Sequence, residues 1–253
     1  MLGPRHGRLG GVAARQLSRI RRGAPATTTA RRFLSDKTDD NANSRATAAA
    51  AAELIYPDAA KEHSDLASFL AYVKRTKLGK TTPFYRGTHY EYTVARALSA
   101  YGFALRRVGG TSDRGLDLLG TWKIPGTRRT TRVALQCKSG ARVAGPQYAR
   151  ELKGAMAEAP PGWRGDGEAL GLLVAEKPAT RGVLEELRAP VGLGYVCCSR
   201  DGEVVQLLWN QRAQEMGLEG VTVGVKYVDD AAGKKKLVLM RRGKVLPMLD
   251  VAE

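Results

Sequence analysis

The sequence RVALQCKSG, residues 132–140, has the alternation of a β-strand with one polar and one apolar face. Strand geometry puts Gln136 and Lys138 side by side on the polar face. Val133 and Leu135 lie on the other face. If helices cover both faces of the sheet, a buried amide and a buried ammonium need partners. The alternative is that this polar pair only lines a solvated face.

Two carboxylates upstream of this strand are candidates for those partners. Asp117 begins a predicted strand and is flanked by leucines, unlike Asp113, which fits an ordinary turn acid. Glu91 falls on the apolar stripe of a predicted helix, three residues before Val94. A carboxylate that faces a core requires a cation or a metal ion. The alternative is that Glu91 lies in the first turns of its helix, where the helix dipole favours an acid.

The pattern along the chain predicts an α/β fold, a sandwich in which helices cover a mixed central sheet. Helices are predicted over residues 64–77, 87–101, 146–157 and 181–187, and strands over 104–108, 116–123, 132–138, 170–175 and 194–198. The apolar run at 170–175 is typical of a strand buried on both faces. The α/β domain covers residues 61–199. Three β-like segments after Ser199 predict a small β-rich C-terminal extension over 200–253.

The N-terminal part of the chain has a different composition. Residues 1–35 contain eight arginines and no acidic residue, within a chain of net charge +16. This composition predicts a mitochondrial transit peptide over residues 1–34. A basic nucleic-acid-binding arm is the alternative. Residues 35–60 are predicted to be a disordered linker, and no apolar run is long enough to predict a transmembrane helix.

The motifs resemble two nested protein families. The order Glu91, Gly109-Gly110, Asp113, Asp117, Gln136-x-Lys138 resembles the PD-(D/E)XK nuclease superfamily, in particular its Mrr-type restriction endonuclease group. Six segments between Tyr85 and Tyr227 are similar to the fungal mitochondrial family called "required for respiratory growth protein 7". These are YRGTHYE (85–91), GGTSDRGLDLLGTW (109–122), QCK (136–138), ARELKG (149–154), LLWN (207–210) and GLEGVTV (217–223).

The resemblance implies a restriction endonuclease-like α/β/α sandwich and a role for each site residue. Asp117 is expected to be the principal ligand of Mg²⁺, with Mn²⁺ as the alternative ion, and Glu91 a second acid. Gln136 would offer its amide oxygen to the ion, and Lys138 would orient the attacking water or stabilise the phosphate. Asp113 is expected at the edge of the site. The wider superfamily usually has an acid where this chain, like the Mrr-type group, has Gln136, and the loss of one negative charge weakens Mg²⁺ binding.

The charge excess predicts contact with nucleic acid, and DNA is the expected partner. The expected phosphate contacts are Arg106, Arg107, Arg128, Arg129 and Arg142, with Arg132 nearby. A generic basic surface is the alternative. The leading hypothesis is a Mg²⁺-dependent endonuclease of the mitochondrial matrix that supports mitochondrial genome maintenance. One alternative is a nuclease-fold protein that binds nucleic acid or a mitochondrial gene-expression complex without cleaving. The other is a non-enzymatic respiratory assembly factor.

Overall fold

The computed structural model describes residues 54–57, 62–108, 115–164, 169–227 and 235–250. The predicted transit peptide, most of the predicted linker, Gly109-Gly110 and Asp113 lie outside these ranges. Among the described residues, no helix combines the length and the hydropathy needed to cross a bilayer.

From residue 83 to residue 198 the elements follow the order that the sequence pattern predicts: a helix, three strands, a helix, a strand, a helix and a strand. The helices are α1 (Leu66–Thr76), α2 (Pro83–Ser99), α3 (Pro146–Ala157), α4 (Arg181–Glu186) and α5 (Gln211–Ala213), which runs into a π-helical turn (Gln214–Leu218). The strands are β1 (Phe103–Arg107), β2 (Leu118–Lys123), β3 (Thr130–Lys138), β4 (Ala169–Ala175), β5 (Leu193–Cys198), β6 (Val204–Trp209), β7 (Val221–Tyr227), β8 (Lys235–Arg241) and β9 (Lys244–Val245).

The described strands form two sheets. A six-stranded mixed sheet has the order β1-β2-β3-β4-β5-β6, and an antiparallel sheet has the order β7-β8-β9. Strands β3, β4 and β5 are parallel, while β1, β2 and β6 pair antiparallel with their neighbours. The mixed α/β class is therefore confirmed. Strand β6 lies in the main sheet, although the sequence pattern assigned its residues to the C-terminal extension.

Helix α2 begins at Pro83, four residues before the predicted start. Thr82 is its N-cap, and the hydroxyl of Thr82 accepts a hydrogen bond from the backbone N–H of Tyr85. Proline is favoured at the first helical position, since its missing N–H would have no helical partner there. The earlier start places Glu91 near the middle of the helix, with its side chain buried. The reading of Glu91 as an acid of the first turn is therefore wrong.

The strands of the main sheet bury both of their faces. On β4, Leu170, Leu172 and Val174 belong to one core cluster, which also contains residues of α2 and of the small sheet. Leu173 and Ala175 belong to a second cluster, which also contains residues of α3 and α4. Every residue of β4 is buried, which confirms the prediction made from its continuous apolar run.

Residues 54–57 lie inside the predicted disordered linker, yet two of them contact the core. Leu54 and Tyr56 pack against the second core cluster. The Tyr56 ring lies 5.0 Å from the ring of Trp163, between centroids. The composition of residues 35–60 does not predict these contacts, because one leucine and one aromatic ring form no periodic apolar pattern.

Candidate functional site

The candidate residues meet at one end of the six-stranded sheet. Leu118 at the start of β2 pairs with Leu135 near the end of β3, and it also pairs with Arg107 at the end of β1. The antiparallel meander thus brings the start of β2 next to the ends of β1 and β3. Asp117, Gln136 and Lys138 share this end of the sheet.

Asp117 is hydrogen-bonded to β3, the strand that carries Gln136 and Lys138. Its Oδ2 atom accepts a hydrogen bond of 2.6 Å from the backbone N–H of Cys137. Its own backbone N–H donates to the carbonyl oxygen of Leu135 at 2.8 Å. The carboxylate therefore reaches the backbone between Gln136 and Lys138. Burial raises the pKa of the Cys137 thiol, and the charges of Asp117 and Glu91 raise it further.

Gln136 is buried and has an unsatisfied oxygen. The residue is 3% exposed, and its Oε1 atom has no hydrogen-bond partner among the described residues. A buried acceptor without a donor costs about 1–3 kcal/mol. Gly115 packs against the same amide, since a Cβ atom there would lie 3.2 Å from Gln136 Nε2, and its φ of +82° favours glycine.

Lys138 is held by helix α3. Its ammonium lies 3.3 Å from Oε2 of Glu151 and 4.6 Å from the centroid of the Tyr148 ring. Neither partner was predicted from the sequence, although Glu151 lies in the segment ARELKG that carries part of the family resemblance. Because Glu151 is half-exposed, its ion pair with Lys138 can exchange for another anion.

Glu91 forms a buried ion pair with Arg107. Oε2 of Glu91 accepts a hydrogen bond from Nε of Arg107, and the two side chains are 11% and 9% exposed. Arg107 also donates to the Thr88 hydroxyl at 3.4 Å and lies 6.0 Å from the centroid of the Tyr92 ring. The sequence prediction that Glu91 faces inward and needs a cation holds, but the cation is Arg107. Arg107, which is also a predicted phosphate contact, is thus buried against Glu91.

Glu91 approaches the sheet from the face opposite to Lys138. Val133 and Leu135 belong to the core cluster that contains residues of α2, and Cys137 packs against that cluster. Lys138 alternates to the other face and contacts α3. The structure thus brings Asp117, Gln136 and Lys138 together, and it places Glu91 at the same end of the sheet but under α2.

The remaining predicted phosphate contacts are dispersed. Arg128 and Arg129 are exposed in the turn between β2 and β3, at the end of β3 remote from Lys138. The eight residue steps of β3 separate them from Lys138 by about 26 Å, so they do not border the candidate site. The guanidinium of Arg106 lies 4.5 Å from the centroid of the Tyr56 ring. Arg142 is exposed four residues after Lys138.

A further carboxylate at this end of the sheet was not predicted. Glu176 follows β4, and its Oε1 atom accepts a hydrogen bond of 2.7 Å from the backbone N–H of Gly140. The guanidinium of Arg200 binds both oxygens of Glu176, at 2.8 and 2.9 Å. Glu176 thereby fixes the chain just after Lys138. Its position after a buried parallel strand, where functional groups of α/β sheets gather, was the available sequence signal.

The oxygen atoms at this end of the sheet could hold one divalent cation through a small number of protein ligands. Asp117 and the free oxygen of Gln136 are hard oxygen ligands of the kind that Mg²⁺ prefers, and Mg²⁺ keeps several waters when few carboxylates are present. No group of three or more histidine, cysteine or acidic side chains suited to a metal occurs within the described ranges. Glu91 would join such a site only by giving up Arg107.

Comparison with known proteins identifies the family. The sequence model described as "Required for respiratory growth protein 7" matches residues 82–131 and 125–226. An uncharacterized mitochondrial protein of Schizosaccharomyces pombe is 30% identical over 158 residues, which cover 60% of this chain and 61% of that protein. The chain thus spans about three-fifths of the length of that relative.

Among solved structures, the restriction endonuclease FokI matches 58% of this chain and 30% of its own chain, with 14% identity. Its TM-score of 0.30 is too low to support an inference. The family model, by contrast, matches more than half of the residues and includes the segments around Glu91, Asp117 and Gln136. The chain belongs to the required for respiratory growth protein 7 family.

Proposed function

We propose that this chain is a mitochondrial, Mg²⁺-dependent endonuclease that hydrolyses phosphodiester bonds in DNA and supports maintenance of the mitochondrial genome. The family name, which describes respiratory growth, and the mitochondrial relative support the cellular setting. We also propose a restriction endonuclease-like α/β/α sandwich over this region. The element order supports it: a helix, a three-stranded antiparallel meander, a helix and a parallel strand.

One observation carries the proposal. Within the described residues, the Oε1 atom of Gln136 is buried without a donor, at the end of β3 where the carboxylate of Asp117 binds the backbone N–H of Cys137. A purely structural glutamine at this position would be expected to find a donor, since buried polar groups rarely go unpaired. A cation held jointly by this oxygen and by Asp117 removes the penalty.

The residues present can perform the parts of phosphodiester hydrolysis that fall to the protein. Asp117 and Gln136 would hold the ion, which supplies Lewis-acid polarisation of a phosphate oxygen. The carboxylate of Asp117 stays oriented by the N–H of Cys137. Lys138 can leave Glu151 and donate to a phosphate oxygen on which negative charge develops, the type of contact that stabilises a transition state.

A second candidate function is binding of nucleic acid without cleavage. The ion pair between Glu91 and Arg107 favours it, because that pair neutralises the second acid of the expected site. With Gln136 in place of another acid, Asp117 then remains the main source of negative charge for a metal ion. A weak metal site of this kind is compatible with substrate binding and slow or absent hydrolysis.

A cleavage assay separates these functions. The full chain is incubated with end-labelled single-stranded, duplex and branched DNA in Mg²⁺ or Mn²⁺, and products are resolved on denaturing gels. We expect cleavage by the wild type, loss of cleavage in Asp117→Asn and Lys138→Met, and full cleavage in the control Asp250→Asn, an exposed C-terminal acid. Binding without cleavage on every substrate would support the second candidate. Absence of binding at low salt would refute both and leave a non-enzymatic assembly factor.

A further inference from the structure

The hairpin of β7 and β8 ends in a set of exposed basic and aromatic side chains outside the candidate site. We call it the basic arm, and it consists of Lys226, Tyr227, Lys235 and Lys236. In the register of the hairpin, Lys226 pairs with Lys236 and Tyr227 pairs with Lys235. The turn residues 228–234 lie outside the described ranges and are no part of the arm.

The base of this hairpin is buried, whereas the described ends of its two strands are exposed. Leu237 and Val221 are buried in the core cluster that contains residues of α2. The Tyr101 hydroxyl donates to the carbonyl oxygen of Leu237 at 3.1 Å. At the other end of the hairpin, residues 225–227 of β7 and residues 235–236 of β8 are all exposed. The arm is therefore a projection from a fixed base, held in place by the core and free to meet a partner.

Two lysines of the arm face each other across the hairpin. Lys226 and Lys236 are direct cross-strand partners, so their side chains emerge on the same face of the hairpin. Like charges directly opposite one another destabilise a sheet. None of the described ion pairs involves either lysine or Lys235. Within the described part of the chain these three charges form no ion pair, and their arrangement fits a ligand with closely spaced negative charges.

The aromatic residue of the arm is available for stacking. Tyr227 is 65% exposed, in a chain whose other tyrosines are mostly covered. The ammonium of Lys235 lies 5.6 Å from the centroid of the Tyr227 ring, so the ring and a positive charge are presented together. Single-stranded nucleic acids are bound by this combination, in which bases stack on an aromatic ring and lysines follow the phosphates.

We infer that the basic arm binds single-stranded nucleic acid, with Tyr227 against an unpaired base, Lys235 beside it, and Lys226 and Lys236 on phosphates at the opposite face of the hairpin. This inference rests on the proposed function for the class of substrate, and it assigns that substrate a second contact away from Asp117. A membrane surface fits the arm less well. The exposed apolar residues at this place are Tyr227 and, next to the arm, Val225, without the tryptophan, phenylalanine or leucine that anchors an interfacial segment.

Fluorescence anisotropy of the full chain in EDTA tests the arm, because no metal-dependent cleavage can then intervene. The probes are a labelled 20-nucleotide DNA, the corresponding RNA and a DNA duplex, at several salt concentrations. The variants are Lys226→Gln/Lys236→Gln and Tyr227→Ser, and the matched control is Lys74→Gln/Lys123→Gln, which removes two exposed lysines elsewhere.

We expect the double arm variant to bind single strands about tenfold more weakly at 0.15 M salt, with a salt slope reduced by about 1.4, while the control changes little. Tyr227→Ser should weaken single-strand binding about tenfold or more and leave duplex binding unchanged. The Tm of the double arm variant should be unchanged or higher, because the lysine repulsion is gone.

Equal binding by the double arm variant and the control would overturn the inference. So would an equal loss on duplex and single strands in Tyr227→Ser. An arm variant that loses binding only to vesicles of anionic phospholipid would assign the arm to a membrane instead. These results are separate from the cleavage assay. If the arm variants bind single strands more weakly but the wild type cleaves no DNA, the inference about the arm holds and the endonuclease proposal is refuted. If the wild type cleaves DNA but the arm variants bind like the control, the endonuclease proposal holds and the inference about the arm is refuted.

Discussion

The buried ion pair between Glu91 and Arg107 makes a quantitative prediction about stability. We consider the substitution Arg107→Met, which removes the guanidinium and keeps a long side chain that still packs. It takes from Glu91 an ion-pair partner in a region where both side chains are about one-tenth exposed. A buried carboxylate that loses its cation is strongly disfavoured.

The magnitude follows from the contacts that are lost. Removal of one member of a buried ion pair costs about 3–5 kcal/mol. The other contacts of Arg107, at 3.4 Å to the Thr88 hydroxyl and 6.0 Å to the Tyr92 ring, are weak and add little. We therefore expect Arg107→Met to lower the free energy of unfolding by about 3 kcal/mol, which corresponds to a fall in Tm of about 6–12 °C.

Chemical denaturation measured by circular dichroism gives this free energy and allows a double-mutant cycle. Glu91→Leu/Arg107→Met should be more stable than Arg107→Met, because no buried charge remains. The control is Arg181→Met, which breaks an exposed pair with Glu185 and should change stability by less than about 0.5 kcal/mol. If Arg107→Met is no more destabilising than Arg181→Met, Glu91 and Arg107 do not form a buried pair and the geometry at this end of the sheet is wrong.

Three other variants probe the surroundings of the site. Burial, followed by the charge of Arg107, lowers the pKa of His63 below its ordinary 6.5. The folded chain then takes up a proton less readily than the unfolded chain, so the free energy of unfolding falls as the pH drops through 6.5. The fall in Tm between pH 7.5 and pH 5.5 should therefore be smaller in His63→Phe than in the wild type. Glu176→Gln should weaken the hydrogen bond from the backbone N–H of Gly140 and lower Tm by a few degrees. Hydrogen exchange measures this bond, and slower amide exchange of Gly140 in the variant than in the wild type would contradict the prediction. Mg²⁺ should raise the Tm of the wild type but not of Gln136→Leu, whose Tm without metal should be no lower than that of the wild type, because the orphaned oxygen is gone.

Much of the main sheet follows from local sequence. The apolar run at 170–175 and the alternation in RVALQCK predict β4 and β3 because both patterns reflect burial of strand faces. The start of α2 was also encoded, in Thr82-Pro83, but Gly87 looks like a helix boundary when the cap is not considered. The place of β6 in the main sheet was not predictable, since its composition is that of any half-buried strand and only pairing with β5 decides it.

The candidate site divides in the same way. The adjacency of Gln136 and Lys138 and the inward position of Glu91 follow from strand and helix periodicity. The partner of Glu91 depends on how the end of β1 meets α2, which is a tertiary contact without a local signal. Closeness in sequence does not place Arg128 and Arg129 near Lys138, because a hairpin puts its turn at the far end of the strands.

The divalent ion at Asp117 and Gln136 is the central claim, and direct binding of Mn²⁺ tests it. Electron paramagnetic resonance of free Mn²⁺, titrated against the full chain, counts bound ions without any need for turnover. We predict one bound Mn²⁺ per chain in the wild type, Mg²⁺ as a competitor for it, and loss of this ion in Asp117→Asn but not in Asp250→Asn. Unchanged Mn²⁺ binding by Asp117→Asn, or no binding by the wild type at millimolar Mn²⁺, would contradict the claim.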